Sequence, residues 1–176
     1  MKLFARVCVG LMLSSCSQLQ KVDTNPFNSG QSTVKIQAVS ANGKQNLGSG
    51  VVIAPNTIAT NCHIIRRSQR AFVIEPDRLY PILTQAILPE FDVCILKTDR
   101  LNVPAALLAE SEAVKVGDDI VLSGYPFALN LRMKQGKVIG LYPYGDNQII
   151  EINAGFNHGA SGGGVATGAG STLWLS

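Results

Sequence analysis

The sequence carries little charge, few histidines and no long apolar run. Charged residues make up 15% of its 176 positions and the net charge is +3. Lys2 and Arg6 lie in the first six positions, so the rest of the chain carries only +1. This balance argues against binding to nucleic acid or to an anionic membrane surface. Two histidines, far apart and without clustered carboxylates, give no set of metal ligands.

The sequence also lacks internal repeats, low-complexity tracts and a convincing long helix; only residues 105–114 have a weak helical pattern. With 46% hydrophobic residues, the chain can bury a sizeable core as one domain or two packed lobes. Short apolar segments recur at intervals of roughly 8–12 residues, which predicts an all-β sandwich or pair of barrels. The predicted strands cover residues 33–39, 48–54, 57–60, 71–74, 79–88, 92–97, 120–124, 133–142 and 148–153.

The first sixteen residues are typical of an export signal. Two basic residues precede an apolar run, 7–13, which is too short to span a bilayer. Residues 13–16, Leu-Ser-Ser-Cys, resemble the lipobox of bacterial lipoproteins, which implies that Cys16 is the lipidated first residue of the mature chain. Ser17 then favours the outer membrane of a Gram-negative cell. An ordinary cleaved signal and a retained anchor are the alternatives, and cleavage of either kind places the chain outside the cytoplasm.

Residues 157–164, Asn-His-Gly-Ala-Ser-Gly-Gly-Gly, hold a serine among glycines. Glycines permit positive φ and close approach of a backbone to a ligand. A serine beside free backbone N–H groups offers acyl transfer a nucleophile together with donors for the developing oxyanion. A flexible glycine loop is the alternative, and a base and an acid elsewhere in the chain decide between the two.

His63 follows a predicted strand pair and Asp92 opens an apolar strand. Each alone is more often structural than catalytic, but they precede Ser161 in the order His, Asp, Ser. The Gly-x-Ser-x-Gly pattern also fits the nucleophile elbow of α/β-hydrolases. That fold requires a strand–elbow–helix context and a histidine after the serine, and no histidine follows Ser161. The sequence therefore excludes the elbow.

Several segments resemble the trypsin-like serine proteases of the chymotrypsin fold, nearest the bacterial HtrA/Deg branch. These segments are residues 48–53, 60–65, 92–97, 116–118, 124–127 and 152–163. The resemblance implies two six-stranded β-barrels, the second incomplete, that act on protein or peptide substrates without a cofactor. It implies that Ser161 is the nucleophile, His63 the general base and Asp92 the group that orients the imidazole. The backbone N–H groups of Gly159 and Ser161 would form the oxyanion hole.

The same resemblance places Gly155 at the floor of the specificity pocket, where the lack of an acid argues against a preference for Lys or Arg. A small to medium apolar side chain is expected there instead. His158 could line this pocket, although a solvent-facing loop position is favoured. Cys62 and Cys94 flank two of the triad positions; a disulfide is permitted in an exported protein, but buried free thiols are expected.

The resemblance divides the chain into a signal peptide over residues 1–15, a lipid-anchored tether over 16–32, a first barrel over 33–100 and a second over 101–176. Residues 166–176 do not resemble the strand pair that closes the family's second barrel, and an open barrel invites misfolding. A shifted reading frame near Ala166 is one hypothesis, which the coding DNA tests. The alternative function is a truncated remnant or a chymotrypsin-fold binding protein without activity.

Overall fold

A computed structural model describes residues 30–76, 78–108, 114–145, 147–155, 158–167 and 172–174. The predicted signal peptide and residues 16–29 of the predicted tether lie outside these ranges. Gly30 and Ser32 are buried, so the last residues of that tether belong to the folded part. None of the helices in the described ranges has the length and apolar character needed to cross a bilayer.

Within the described residues the architecture is almost entirely β, as the sequence predicts. The strands are β1 (Thr33–Ser40), β2 (Gln45–Ala54), β3 (Thr57–Asn61), β4 (Ser68–Glu75), β5 (Arg78–Pro81), β6 (Thr84–Leu88), β7 (Val93–Lys97), β8 (Asp119–Gly124), β9 (Arg132–Tyr144), β10 (Asn147–Ile152), β11 (Gly164–Thr167) and β12 (Thr172–Trp174). One turn of helix, α1 (Cys62–Ile65), follows β3, and short 3₁₀ turns cover Pro89–Phe91 and Pro126–Ala128.

The first seven strands form one antiparallel sheet in the order β5-β4-β1-β2-β3-β7-β6. Its two edge strands are consecutive in the chain and are joined by only Ile82 and Leu83. The Ile82 N–H donates to the Ala71 carbonyl and the Leu83 N–H donates to the Lys97 carbonyl, so the sheet closes on itself. The predicted strand 79–88 is therefore one bent strand, and counting it once gives the predicted six-stranded barrel.

Strict alternation along β1 places Val34, Ile36 and Ala38 inside this barrel, each at most 1% exposed. Burying a branched aliphatic side chain of this kind stabilises the fold by roughly 1.5–3 kcal/mol. β3 is buried along its whole length, including its polar residues Thr60 and Asn61. These two polar residues lie against the second half of the molecule, where the candidate site forms.

The second sheet has the order β10-β9-β8-β11-β12, with five strands in the described residues, one fewer than a complete six-stranded barrel. Its core contains Ile120, Leu122, Val138 and Val165. The two sheets meet at β1 and β8, where the hydroxyls of Thr33 and Ser123 lie 2.7 Å apart.

Two expectations about irregular segments are wrong. Residues 166–167 and 172–174 do form part of a strand pair, in which Val165 faces Leu173 in antiparallel register. β11 pairs with β8 through backbone hydrogen bonds, which require no particular side chain. The Gly-, Ala- and Thr-rich composition of this segment therefore gave no sign of a strand. Of the weak helix expected over 105–114, residues 109–113 lie outside the described ranges and residues 105–108 contain no helix; the Ala106 N–H instead donates to the Val52 carbonyl on the first barrel.

Cys62 and Cys94 form a disulfide, with Cα atoms 5.0 Å apart, so the expectation of free thiols is wrong. β3 pairs with β7 so that Thr60 faces Cys94 and Asn61 faces Val93. Cys62, the next residue along the chain, therefore lies diagonally across from Cys94. Both side chains are buried. Their separation of 32 residues in the chain does not by itself predict that they are neighbours in the fold.

We expect reduction of this disulfide to lower the free energy of unfolding by about 4 kcal/mol, because a closed loop of this length restricts the unfolded chain. Urea unfolding with and without dithiothreitol measures the difference. The double variant Cys62→Ala/Cys94→Ala is the control: it keeps Cys8 and Cys16, should match the reduced protein, and should not respond to dithiothreitol. Equal unfolding midpoints for the oxidised and reduced wild type would contradict the prediction.

Candidate active site

Pairing of β3 with β7 brings His63 and Asp92 together although 29 residues separate them in the chain. His63 lies in α1, immediately after the end of β3, and Asp92 follows the 3₁₀ turn Pro89–Phe91, immediately before β7 begins. In an antiparallel pair the end of one strand meets the start of the other. The two side chains therefore meet at one end of the first barrel.

Asp92 binds His63 through both carboxylate oxygens. Oδ1 accepts the His63 backbone N–H at 2.8 Å, and Oδ2 lies 2.5 Å from the ring Nδ1. Because an ionised carboxylate only accepts hydrogen bonds, Nδ1 carries the proton and Nε2 of a neutral ring is left with its lone pair. The His63 side chain is 49% exposed, so the ring is partly accessible from solvent.

The backbone of Asp92 is fixed as firmly as its side chain. Its φ is +51°, in the left-handed region that aspartate tolerates better than most residues. Its carbonyl accepts the Cys62 N–H at 2.9 Å and the Asn61 side-chain amide at 3.1 Å. Sequence reasoning missed Asn61 as a positioning group, since the contact depends on the β3–β7 register.

Ser161 lies in a loop whose peptide planes have defined directions. The His158 carbonyl accepts the Phe127 N–H at 2.6 Å, and the Ala160 carbonyl accepts the Gly163 N–H at 3.0 Å. In a trans peptide the C=O and N–H point in opposite directions. The N–H groups of Gly159 and Ser161 therefore point away from these donors, and neither donates to another group among the described residues.

Glycine is required twice in this loop. Gly159 has φ +96°, and a Cβ there would lie 2.8 Å from the Phe127 nitrogen. Gly162 has φ +79°, and its Cβ would lie 2.2 Å from the Ser49 carbonyl oxygen on β2. Both positions combine a backbone conformation unfavourable for other residues with a lack of space for a side chain.

The structure brings two of the three predicted triad residues into contact. Ser161 lies in the neighbouring loop: Gly162 packs against Thr60 and Asn61, just before His63. Among the described contacts no hydrogen bond joins the Ser161 hydroxyl to His63. The assignment of catalytic roles to the three residues stays a prediction.

The predicted specificity residues lie at the surface. His158 is exposed, as favoured, and Gly155 is exposed with its carbonyl accepting the Lys134 amine at 3.0 Å. Whether either of them contacts substrate stays a prediction. In the described part of the chain no three His, Cys, Asp or Glu side chains are grouped to hold a metal ion.

A matched pair of glycine substitutions tests the geometry of the loop. Gly159 and Gly117 have almost the same φ, +96° and +97°, but a Cβ on Gly117 meets nothing within 4 Å. We expect Gly117→Ala to lower the free energy of unfolding by about 1–2 kcal/mol, the cost of backbone strain alone. Gly159→Ala should cost clearly more, because the Cβ also displaces the turn at Phe127. Urea unfolding measures both, and equal losses would contradict the crowding described at Gly159.

The amino-acid sequence of this chain is similar to those of known serine proteases. The serine protease Rv3671c of Mycobacterium tuberculosis is 31% identical over 144 residues, which cover 75% of this chain and 36% of that protein. The protein named "Probable periplasmic serine endoprotease DegP-like" of Pseudomonas putida is 33% identical over 128 residues, 68% of this chain and 26% of that protein. The chain thus spans about a third of the length of these relatives or less.

A solved structure is similar over most of the fold. The crystal structure of the active form of the Rv3671c protease superposes with a TM-score of 0.74 at 26% identity, covering 84% of this chain and 70% of that one. Residues 48–173 match the family described as the trypsin-like peptidase domain. That range contains the His63–Asp92 pair, the loop of Ser161 and strands of both sheets. The chain belongs to the trypsin-like peptidase domain family.

Proposed function

We propose that this chain is a serine endopeptidase that cleaves protein or peptide substrates through an acyl-enzyme, with Ser161, His63 and Asp92 as its triad. The observation that carries the proposal is the two-point hydrogen bonding of His63 by Asp92. It fixes the ring orientation and leaves Nε2 as the nitrogen that can accept a proton. Family membership and the loop geometry at Ser161 support the same assignment.

In the proposed reaction, the Ser161 hydroxyl oxygen attacks the scissile carbonyl while His63 Nε2 takes its proton. The resulting imidazolium is stabilised by the Asp92 carboxylate and then protonates the leaving amine as the C–N bond breaks. Water attacks the acyl ester by the same steps and releases Ser161. The contact between Ser161 and His63 need not be short beforehand, because catalytic hydrogen bonds often tighten only when substrate binds.

The N–H groups of Gly159 and Ser161 are the proposed donors to the oxyanion. The direction of each N–H is fixed because the carbonyl of the same peptide group accepts a hydrogen bond: His158 from the Phe127 N–H, and Ala160 from the Gly163 N–H. A donor fixed before the reaction needs no reorganisation as negative charge develops, and such a donor lowers the barrier by roughly 3 kcal/mol. The proposed preference is for a small to medium apolar residue before the scissile bond, since Gly155 supplies no acid for Lys or Arg.

Labelling by a fluorophosphonate probe tests the proposal, because the probe reacts only with an activated serine. We expect wild type to be labelled and Ser161→Ala to remain unlabelled. Asp92→Asn should slow labelling by a factor on the order of 10³ to 10⁴, since the amide favours the wrong imidazole tautomer. Asp119→Asn is the matched control: Asp119 is exposed and pairs with Lys137 in the second sheet, so its loss should leave the rate unchanged.

Wild-type protein that is folded by circular dichroism but unlabelled would overturn the assignment and favour a chymotrypsin-fold binding protein. Equal labelling of wild type and Ser161→Ala would place the reactive group elsewhere. Equal slowing by the two aspartate variants would show that Asp92 has no special part in activating the serine.

We also propose that the chain is exported and anchored to the bacterial envelope by a lipid on Cys16. The lipobox-like residues 13–16 support this, and the name of the DegP-like relative describes a periplasmic protein. Expression in a Gram-negative host with radiolabelled palmitate should label wild type and place it in the membrane fraction. Cys16→Ser should lose both properties, while Cys8→Ser, in the apolar run, should keep them. Persistent labelling of Cys16→Ser would overturn the anchor.

A further inference from the structure

Ser49, in β2, is completely buried where the first barrel meets the loop of Ser161. Each of its polar groups makes a hydrogen bond. Its carbonyl accepts the Thr60 hydroxyl at 2.6 Å, and its own hydroxyl accepts the Tyr125 N–H at 2.9 Å. A buried side chain with this many partners has little freedom to move.

The remaining two bonds of Ser49 hold the nucleophile loop. Its N–H donates to the Ser161 carbonyl at 2.8 Å, and its hydroxyl donates to the Gly159 carbonyl at 3.0 Å. The carbonyls of residues 158 to 161 thus all have a fixed partner, since Phe127 and Gly163 hold the other two. Ser49 supplies two of these four anchors, one through its backbone N–H and one through its hydroxyl, and only the hydroxyl bond depends on the side chain.

A third anchor depends on Ser49 indirectly. Phe127, which holds the His158 carbonyl, lies in a tight turn where Phe127 and Ala128 have φ of +54° and +53°. Two successive non-glycine residues in this region are strained, so the turn needs outside restraint. The Tyr125 N–H bonded to the Ser49 hydroxyl supplies restraint where the turn begins. The Ser49 hydroxyl therefore joins the loop of Ser161 to the turn at Tyr125, and these two segments together set the direction of the Gly159 N–H.

We propose that Ser49 is a positioning residue for catalysis. Its hydroxyl fixes the Gly159 carbonyl directly and, through the turn that begins at Tyr125 and holds the His158 carbonyl, directs the Gly159 N–H at the oxyanion. This inference rests on the proposed peptidase function and adds a residue to it. Ser49 touches no reacting atom, so its loss should weaken stabilisation of the transition state and leave initial binding nearly unchanged.

Ser123 offers a matched control. It is also a buried serine between the two barrels, 1% exposed, and its hydroxyl bonds to Thr33 and to the Gly164 carbonyl. Ser123→Ala therefore removes a comparable buried hydroxyl without removing any of the four loop anchors. Any general loss of stability should appear in both variants, whereas a positioning effect should appear only in Ser49→Ala.

The experiment measures inactivation by a fluorophosphonate, separating the maximal rate, kinact, from the half-saturating concentration, KI. The phosphoryl oxygen of the probe takes the place of the oxyanion. We expect Ser49→Ala to lower kinact at least about tenfold, because a misdirected donor loses part of its contribution, with KI changed less than about threefold. Ser123→Ala should keep both values close to wild type.

Unchanged kinact in folded Ser49→Ala would overturn the positioning role and leave the peptidase proposal intact. An equal fall in Ser123→Ala would also overturn it, since the effect would then be general loosening of the interface. Folded wild type that does not react would overturn both proposals. If Ser49→Ala does not fold, Ser49→Cys fills the same space with a weaker donor and should give an intermediate kinact; a wild-type value there would overturn the role.

Discussion

The close approach of one backbone to another is the constraint on which the site depends. The loop carrying Ser161 comes so near to β2 and β3 that a Cβ on Gly162 would lie 2.2 Å from the Ser49 carbonyl oxygen. Such packing permits no side chain and leaves buried peptide groups that must find partners. Ser49 supplies partners from the first barrel, so the same hydrogen bonds position the loop of Ser161 and join the two barrels.

The other half of the site depends on strand pairing. β3 and β7 are neighbours in the closed first barrel, and their ends deliver His63 and Asp92 to the same place. The Cys62–Cys94 disulfide joins the same two elements beside the pair. His63 and Asp92 therefore share a covalently closed frame, whereas the loop of Ser161, which leads into β11 of the second sheet, is held against that frame by hydrogen bonds and packing.

Much of this molecule could be predicted from the residues. The alternation in β1 predicts its buried face, and the order His63, Asp92, Ser161 with glycines around the serine predicts the family to which the chain belongs. The resemblance to the trypsin-like proteases predicted two barrels, and the family match agrees. The failures were in segments whose structure is set by distant partners. Residues 164–167 pair through their backbone with β8 and with residues 172–174, and the Ala106 N–H bonds to the first barrel where a helix was expected.

The sequence by itself determined the class of chemistry, because a histidine, an aspartate and a serine among glycines, in that chain order, are residue types that can be identified without coordinates. Only the tertiary structure decided how they are held. The disulfide, the Asn61 bond to Asp92 and the four bonds of Ser49 all join residues distant in the chain. Their partners follow from strand register and from the docking of two sheets, which depend on the whole core and not on any local pattern.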